Sequence, residues 1–408
     1  MSELWKSDQW FTSPWNFLPE VTKGWGFPKK VEIHDTTLRD GEQQAGVVFN
    51  KEDKIRIAGM LDEAGVDRIE AGMPAVSWAD AEAIKHIAKM GLNAEIYTFS
   101  RCLVEDVERA ADTGVKGILM EVPASEHLIK HAYGWPVERA IETTIKATLA
   151  AKELGLHTIF FPIDASRAEM TWYLDLIERI STEGHMDALV LVDTFGVLSP
   201  QAVEYFVRRT QERIKKPLET HFHMDFGVGV ANTIVALLQG VETVHTTVTG
   251  MGERAGNVPM EDLVMALKTL YGVDTNVKPE HLYKLSKEVR KLARHPLPPN
   301  RHIVGEHLFD VESGIPVSWL KNLDEEHMTE MYPFLHQMVG HHQPRVVLGK
   351  GSGLDSIGIW LQKIGRSAST EEMQELLLEV KNFSIEKRGL LTRNEFTKLA
   401  DRVISKQS

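Results

Sequence analysis

The sequence predicts a (β/α)8 barrel followed by a mainly helical carboxy-terminal appendage. Three observations carry that prediction. Eight short β-rich runs alternate with amphipathic segments between residues 31 and 248, which matches the count and length of such a barrel. Helical segments end on a glycine suited to a left-handed cap and pass straight into the next run, as in Glu63-Ala64-Gly65-Val66-Asp67 and Asp112-Thr113-Gly114-Val115-Lys116. The competing doubly wound open sheet would more often carry a Gly-rich dinucleotide turn after its first strand, and no such turn follows residues 31–35.

Taken in order, the β-rich runs fall at 31–35, 67–71, 94–98, 117–122, 157–161, 187–192, 218–222 and 243–248. The segments between them, such as Lys51 to Glu63 and Ser77 to Met90, place apolar residues at three- and four-residue spacing, the period of one helix face. After about residue 277 the rhythm stops. Helix-like stretches at Pro279 to Leu292, Thr370 to Asn382 and Thr392 to Ile404 are joined by Pro- and His-rich loops, among them Leu297-Pro298-Pro299-Asn300 and His341-His342-Gln343-Pro344. This part reads as an appendage that packs on, or reaches over, the mouth of the barrel. Ahead of the rhythm stands an arm holding four of the nine tryptophans (Trp5, Trp10, Trp15, Trp25) and prolines at 14, 19 and 28. Tryptophans at this density are a solubility liability if exposed, so the arm is expected to cover a groove on its own subunit or a neighbour. The divisions are therefore 1–29 for the arm, 30–276 for the barrel and 277–408 for the helical subdomains.

Composition narrows the function. The 408 residues are 43% hydrophobic and 25% charged with a net charge of −12, which argues against nucleic acid or an anionic membrane surface as partner, since both want a basic face. The single cysteine, Cys102, excludes an internal disulfide framework and a Cys-based zinc site, and fits a reducing cytosol. No run of about 18 apolar residues occurs, and Met1-Ser2-Glu3-Leu4-Trp5 lacks the basic-then-apolar order of a signal peptide. A soluble cytoplasmic protein is the expectation.

The chemistry-bearing residues lie in two distant pieces. His34-Asp35-Thr36-Thr37-Leu38-Arg39-Asp40-Gly41-Glu42 sets an arginine beside a carboxylate just after the first strand, and His221-Phe222-His223 ends the seventh with two imidazoles on one face. Functional residues of a barrel gather at the carboxyl ends of its strands. Closure would place strand eight between seven and one, so these pieces and the loop Gly250-Met251-Gly252-Glu253-Arg254-Ala255-Gly256-Asn257 become neighbours. Each piece alone has a plainer reading. The histidines could be hydrogen-bonded core residues, the Arg-Asp pair a turn with a local salt bridge, and the glycine-rich loop a closing turn. Asn257 could be the N-cap of a helix beginning near Pro259. Together, Asp40, His221 and His223, with or without the amide oxygen of Asn257, form an oxygen and nitrogen set without thiolate that suits Mg²⁺, Mn²⁺, Zn²⁺ or Co²⁺. An octahedral ion there would keep two positions for the keto and carboxylate oxygens of a 2-oxo acid. Asp225 and Glu253 are candidates to orient the histidines, or else solvated loop charges.

At these residues the chain resembles the metal-dependent TIM-barrel family (pyruvate carboxyltransferase-like domain) that contains 2-isopropylmalate, citramalate and homocitrate synthases and 3-hydroxy-3-methylglutaryl-CoA lyase. The shared motifs are His34 to Gln43, Ile69-Glu70-Ala71-Gly72-Met73-Pro74, Asp193-Thr194-Phe195-Gly196, His221 to Gly227 and Gly252 to Asn257, with weaker similarity through Val304-Gly305-Glu306 and Val346 to Lys350. The post-barrel extension and the Gly-Glu-Arg-Ala-Gly-Asn loop resemble the synthase branch; the lyase branch carries a catalytic cysteine in that loop, and this chain has none there. The resemblance implies metal binding by Asp40, His221, His223 and Asn257, stabilisation of a developing oxyanion by Arg39, and binding of a substrate carboxylate by Thr194. It implies an acyltransferase joining acetyl-CoA to a 2-oxo acid by a Claisen-type condensation, in a homodimer. Two positions depart from it. Ile159 stands where synthases carry a functional glutamate, and Val311 where they carry an assisting histidine, with Pro316 in place of a second histidine. Glu121, ending the fourth run, is a candidate relocated carboxylate, or an outward structural residue. A lyase or aldolase running the reverse cleavage needs fewer helpers and is the alternative enzyme; a non-catalytic barrel that binds a metal and a 2-oxo acid is the alternative outside enzymes.

Overall fold

The computed structural model describes residues 3–404; the first two residues of the amino-terminal arm and the last four of the appendage lie outside the described residues. Two compact units emerge, Trp15–Leu297 and Met1–Pro14 with Pro298–Ser408. The first is the barrel. Its eight parallel strands are β1 (Glu32–Asp35), β2 (Arg68–Glu70), β3 (Glu95–Arg101), β4 (Gly117–Pro123), β5 (His157–Ile163), β6 (Ala188–Asp193), β7 (Leu218–Phe222) and β8 (Thr243–Thr246). They hydrogen-bond in chain order and close, with Glu32 to Asp35 of β1 paired to Thr243 to Thr246 of β8. All eight fall on the β-rich runs read from the sequence.

Helices wind between the strands because the linking segments carry caps as well as an apolar face. The helix Lys51–Ala64 starts at a capping box in which Asn50 and Asp53 bond each other's backbone N–H, and stops at Gly65 in the left-handed region (φ 91°). Ser77 and Ser199 cap Trp78–Ile87 and Pro200–Arg213, their hydroxyl oxygens accepting the N–H of Asp80 and Ala202. The sequence placed Pro279 to Leu292 in the appendage. The helix Leu282–Leu292 instead belongs to the barrel unit, which runs to Leu297. Its buried Leu282, Leu285 and Val289 explain why: they form one apolar stripe that needs a partner surface.

The interior of the barrel is divided by polarity. From β3 to β6 it is filled by Tyr97, Phe99, Leu119, Ile159, Phe161, Ala188, Val190 and Val192, packed as one cluster. On β7, β8, β1 and β2 the buried layer is polar instead, with Glu219, His221, His245 and His34 all nearly inaccessible to solvent.

In the second unit a short parallel pair, β9 (Asp310–Val311) and β10 (Arg345–Val346), precedes three helices, Leu354–Lys363, Thr370–Lys387 and Arg393–Ile404. These pack around Leu376, Val380 and Phe396. The tryptophan-rich arm is not one piece: Trp10 bridges Phe334 in this unit, whereas Trp25 and Phe27 pack against the Tyr271 ring in the barrel unit. Among the described residues no helix is long and apolar enough to cross a membrane.

Gly117 shows how tightly β4 is held. A Cβ built there would lie 2.5 Å from both the carbonyl oxygen of His157 and the Tyr97 ring. Gly117→Ala therefore overpacks the barrel wall and is expected to cost about 1–3 kcal/mol, measured as a lower midpoint in thermal or urea unfolding; an unchanged midpoint would show that the wall yields.

Candidate active site at the barrel rim

The site is assembled where β1, β7 and β8 meet. After β1 the chain turns sharply because Asp35 accepts hydrogen bonds from the Thr37 N–H (2.9 Å) and the Thr37 hydroxyl (3.0 Å). The same hydroxyl oxygen accepts the N–H of Val248 at 2.9 Å, tying this turn to the loop after β8. The turn brings Arg39 and Asp40 to the carboxyl ends of the strands, against Glu70 at the end of β2 and His221 on β7. Both are buried.

Arg39 is held on three sides. Its Nε donates to Glu70 at the end of β2 (2.8 Å), its Nη1 to Asp40 (3.1 Å) and Gln43 (3.2 Å), and its plane lies 4.1 Å from the centre of the Phe99 ring. Its Nη2 is buried with no hydrogen-bond partner. Burial opposes the charge on this guanidinium, but Glu70 and Asp40 outweigh it, so Arg39 stays cationic. The arrangement leaves one donor of a fixed cation free inside the site.

Asp40 receives the two imidazoles. Its Oδ2 lies 3.1 Å from Nε2 of His221 and 3.7 Å from Nε2 of His223, whose rings are 5.1 Å apart. Burial would raise the Asp40 carboxyl, but the Arg39 guanidinium beside it holds it well below its ordinary range. Burial also drives the ring of His221 down to about 3 and lowers that of His223. At neutral pH the group is therefore one carboxylate and two neutral imidazoles, with one ligand atom from each lying within 4.8 Å of the others. Asn257 completes the rim. Its side-chain N–H donates to the carbonyl of Met251 (3.1 Å), and its Oδ1 is buried without a partner. The glycine of the Gly252 loop is required here, because a Cβ at Gly252 (φ 154°) would meet the Asn257 amide at 2.2 Å and the Asp40 carboxylate at 3.0 Å.

Asn257 is not the cap of the following helix: that helix begins at Met260 with Pro259 in the cap position and no side-chain cap bond. Asp225 and Glu253 do not orient the histidines either. Asp225 is taken by Arg254 in a two-pronged ion pair (2.9 and 3.1 Å), and Glu253 faces the same arginine at 3.7 Å. The group that meets His221 from behind is His245 of β8, with Nδ1 to Nδ1 at 3.3 Å, and Glu219 stands behind His245 at 2.8 Å.

Thr194 lies on the rim after β6, beside the β7 end, where Asp193 accepts the His223 N–H at 3.3 Å. The Thr194 hydroxyl oxygen accepts the N–H of Asp164 at 2.7 Å. Glu121 resolves to the inner face of β4, two residues from inward-facing Leu119 and in register with Phe161. It accepts the Tyr133 hydroxyl at 2.8 Å, and burial raises its carboxyl above the ordinary value. Ile159 is part of the apolar interior, and Val311 is buried in the second unit on β9.

Known proteins share this fold and this sequence pattern. Among solved structures, the 3-hydroxy-3-methylglutaryl-CoA lyase of Bacillus subtilis superposes with a TM-score of 0.60 at 24% identity, over 67% of this chain and 96% of that one, which shows the fold. The HMGL-like family model matches residues 30–289, and the chain belongs to that family. It is 42% identical to the putative (R)-citramalate synthase of Archaeoglobus fulgidus, over 86% of this chain and 71% of that protein. It is 38% identical to homocitrate synthase AksA of Methanothermobacter thermautotrophicus, over 91% and 93%. A probable 2-isopropylmalate synthase of A. fulgidus is 38% identical, over 86% and 69%.

Glu70→Ala would strand the Arg39 guanidinium in the interior. Removing one partner of a buried ion pair typically costs about 3–5 kcal/mol, so this variant is expected to unfold at clearly lower urea than Glu70→Gln, which keeps an acceptor. Equal midpoints for the two would show that the pair is not what holds Arg39.

Proposed function

We propose that the chain is a divalent-metal-dependent acyltransferase condensing a short acyl-CoA, acetyl-CoA above all, with a 2-oxo acid. The carrying observation is the convergence of Asp40, His221 and His223 beside Arg39 at the carboxyl rim of a closed barrel. The relatives named as citramalate, homocitrate and 2-isopropylmalate synthases support it.

Asp40, His221 and His223 would hold the cation, with the unpartnered amide oxygen of Asn257 as a further ligand. The donor set contains no thiolate, which suits Mn²⁺, Mg²⁺, Zn²⁺ or Co²⁺. A bound divalent cation there supplies Lewis acidity toward the keto oxygen of the 2-oxo acid. The protein's own groups do the rest. Thr194, whose oxygen already accepts from Asp164, has its proton to give to the substrate carboxylate. The free Nη2 of Arg39 is the donor for the oxygen on which negative charge gathers as the carbon–carbon bond forms.

Glu121 is the base in this reading. Its carboxylate takes a proton from the α-carbon of the thioester, and that carbon bonds to the keto carbon of the oxo acid, whose carbonyl electron pair moves to oxygen as an alkoxide. The alkoxide takes up a proton, and water then cleaves the thioester, giving a carboxylic acid and the thiol of CoA. Burial raises the Glu121 carboxyl, which makes it a stronger base once ionised. Activity should then rise with pH as that raised value is passed, because the ionised form is the active one.

The direct assay strips the protein of metal, reloads it with Mn²⁺ and follows thiol release from acetyl-CoA with 2-oxo acids of increasing side-chain size. Thiol release with at least one oxo acid is expected, and Glu121→Gln should lower kcat about 10²–10⁴-fold while leaving oxo-acid binding intact. Saturable oxo-acid binding without thiol release from any pair would favour a binding protein over an enzyme. Wild-type kcat in Glu121→Gln would remove Glu121 from the role of base.

A further inference from the structure

Behind His221 the polar half of the barrel holds a continuous chain of buried groups. Nδ1 of His221 faces Nδ1 of His245 at 3.3 Å, and Nε2 of His245 lies 2.8 Å from Glu219. The other Glu219 oxygen accepts from Arg68 Nη1 at 2.7 Å, and Arg68 reaches on to Glu32 at 2.9 Å. His221, His245 and Glu219 are at most 2% exposed. The rings have little freedom to turn. His245 stacks on His34 with centroids 4.4 Å apart, and the ring of Phe161 meets His221 nearly edge-on at 4.9 Å.

The proton positions follow from the ends of this chain. Glu219 is paired with a guanidinium and is an acceptor only, so the nitrogen facing it, Nε2 of His245, carries the hydrogen. Nε2 of His221 faces the Asp40 carboxylate at 3.1 Å. When that nitrogen gives its lone pair to a cation, the hydrogen of the ring sits on Nδ1, and Nδ1 of His245 at 3.3 Å is the acceptor that holds it there.

We propose that Glu219 and His245 are positioning residues for the metal centre: Glu219, anchored by Arg68, acts through His245 to fix His221 in the tautomer that presents Nε2 to a divalent cation. The inference rests on the metal reading above and adds to it two residues that lie below the rim and outside its ligand set. His34, Glu219 and His245 also stand close enough together to hold an ion of their own. The Arg68 guanidinium 2.7 Å from Glu219 opposes a second dication there, so one ion per chain is expected.

The test uses the full chain, stripped with chelator and titrated calorimetrically with Mn²⁺ and Co²⁺, with thermal melts run beside it. Wild type should bind one ion. Glu219→Gln should bind about 10–100-fold more weakly, the usual effect of losing such a partner, with a changed visible spectrum of the Co²⁺ form. Glu219→Asp should recover part of the loss. His245→Phe keeps the stacking ring without its nitrogens and should weaken binding likewise, which keeps the test open if Glu219→Gln fails to fold. Adding Glu219→Gln to His245→Phe should change little, because the effect travels through His245. A wild-type protein that takes up no ion overturns the metal reading itself. Wild-type affinity and Co²⁺ spectrum in folded Glu219→Gln or His245→Phe overturn the positioning role alone. Two ions in wild type with one lost in Glu219→Gln overturn it as well, by making His34, Glu219 and His245 a separate site.

Discussion

The carboxylate of Asp40 lies between a guanidinium on one side and two neutral imidazoles on the other, and the rest of the site is arranged to keep it there. Arg39 reaches it from the next residue, but the histidines come from the other end of the barrel. Only the pairing of β1 with β8 brings β7 within reach. An open sheet of the same strands would leave Arg39 and Asp40 on one edge and the histidines on another. Closure of the barrel and assembly of the site are one event, and the loop after β8 fastens both through Val248, Gly252 and Asn257.

This arrangement is bought against stability. Arg39, Asp40, Glu70, Glu219 and the four histidines His34, His221, His223 and His245 are nearly inaccessible, and the desolvation of buried ion pairs commonly cancels their attraction. The apolar half of the interior, from Tyr97 across to Val192, carries the packing instead. Several polar atoms on the other half remain unsatisfied: Nη2 of Arg39, Oδ1 of Asn257, Nδ1 of His223 and both nitrogens of His34. Natural proteins break the rule of polar satisfaction mainly where function needs it. Arg39 and Asn257 fit that pattern, since both residues stand at the rim beside Asp40 and His223. Nothing in the structure explains the unpartnered ring of His34.

The fold was legible in the sequence because its signal repeats eight times, and each run is too β-rich and each linker too regularly spaced to be exchanged. The metal-site candidates were legible because a His-x-His on a strand fixes a common face without any knowledge of the neighbours. The same alternation extends back from His223 and His221 to Glu219, so one more residue of this face could have been read. His245 could not, because a lone histidine in Thr243-Val244-His245-Thr246 has meaning only once β8 lies against β7. Asp225 and Glu253 misled for the opposite reason: Asp225 is close to His223 in sequence and Glu253 close to Asn257, but Arg254 adopts a left-handed backbone (φ 55°) and draws both to itself. In the second unit, β9 and β10 are two residues long, too short for any period to show. The split of the tryptophan arm likewise depends on the distant residue Phe334, which carries no local mark.

The central claim, that Asp40 and the paired imidazoles grip a divalent cation, is tested most directly by anomalous scattering from crystals grown with Mn²⁺. The account predicts one strong peak within coordinating reach of the Asp40 carboxylate and the Nε2 atoms of His221 and His223. A map without a peak there from metal-saturated crystals, or with its peak elsewhere, would contradict it.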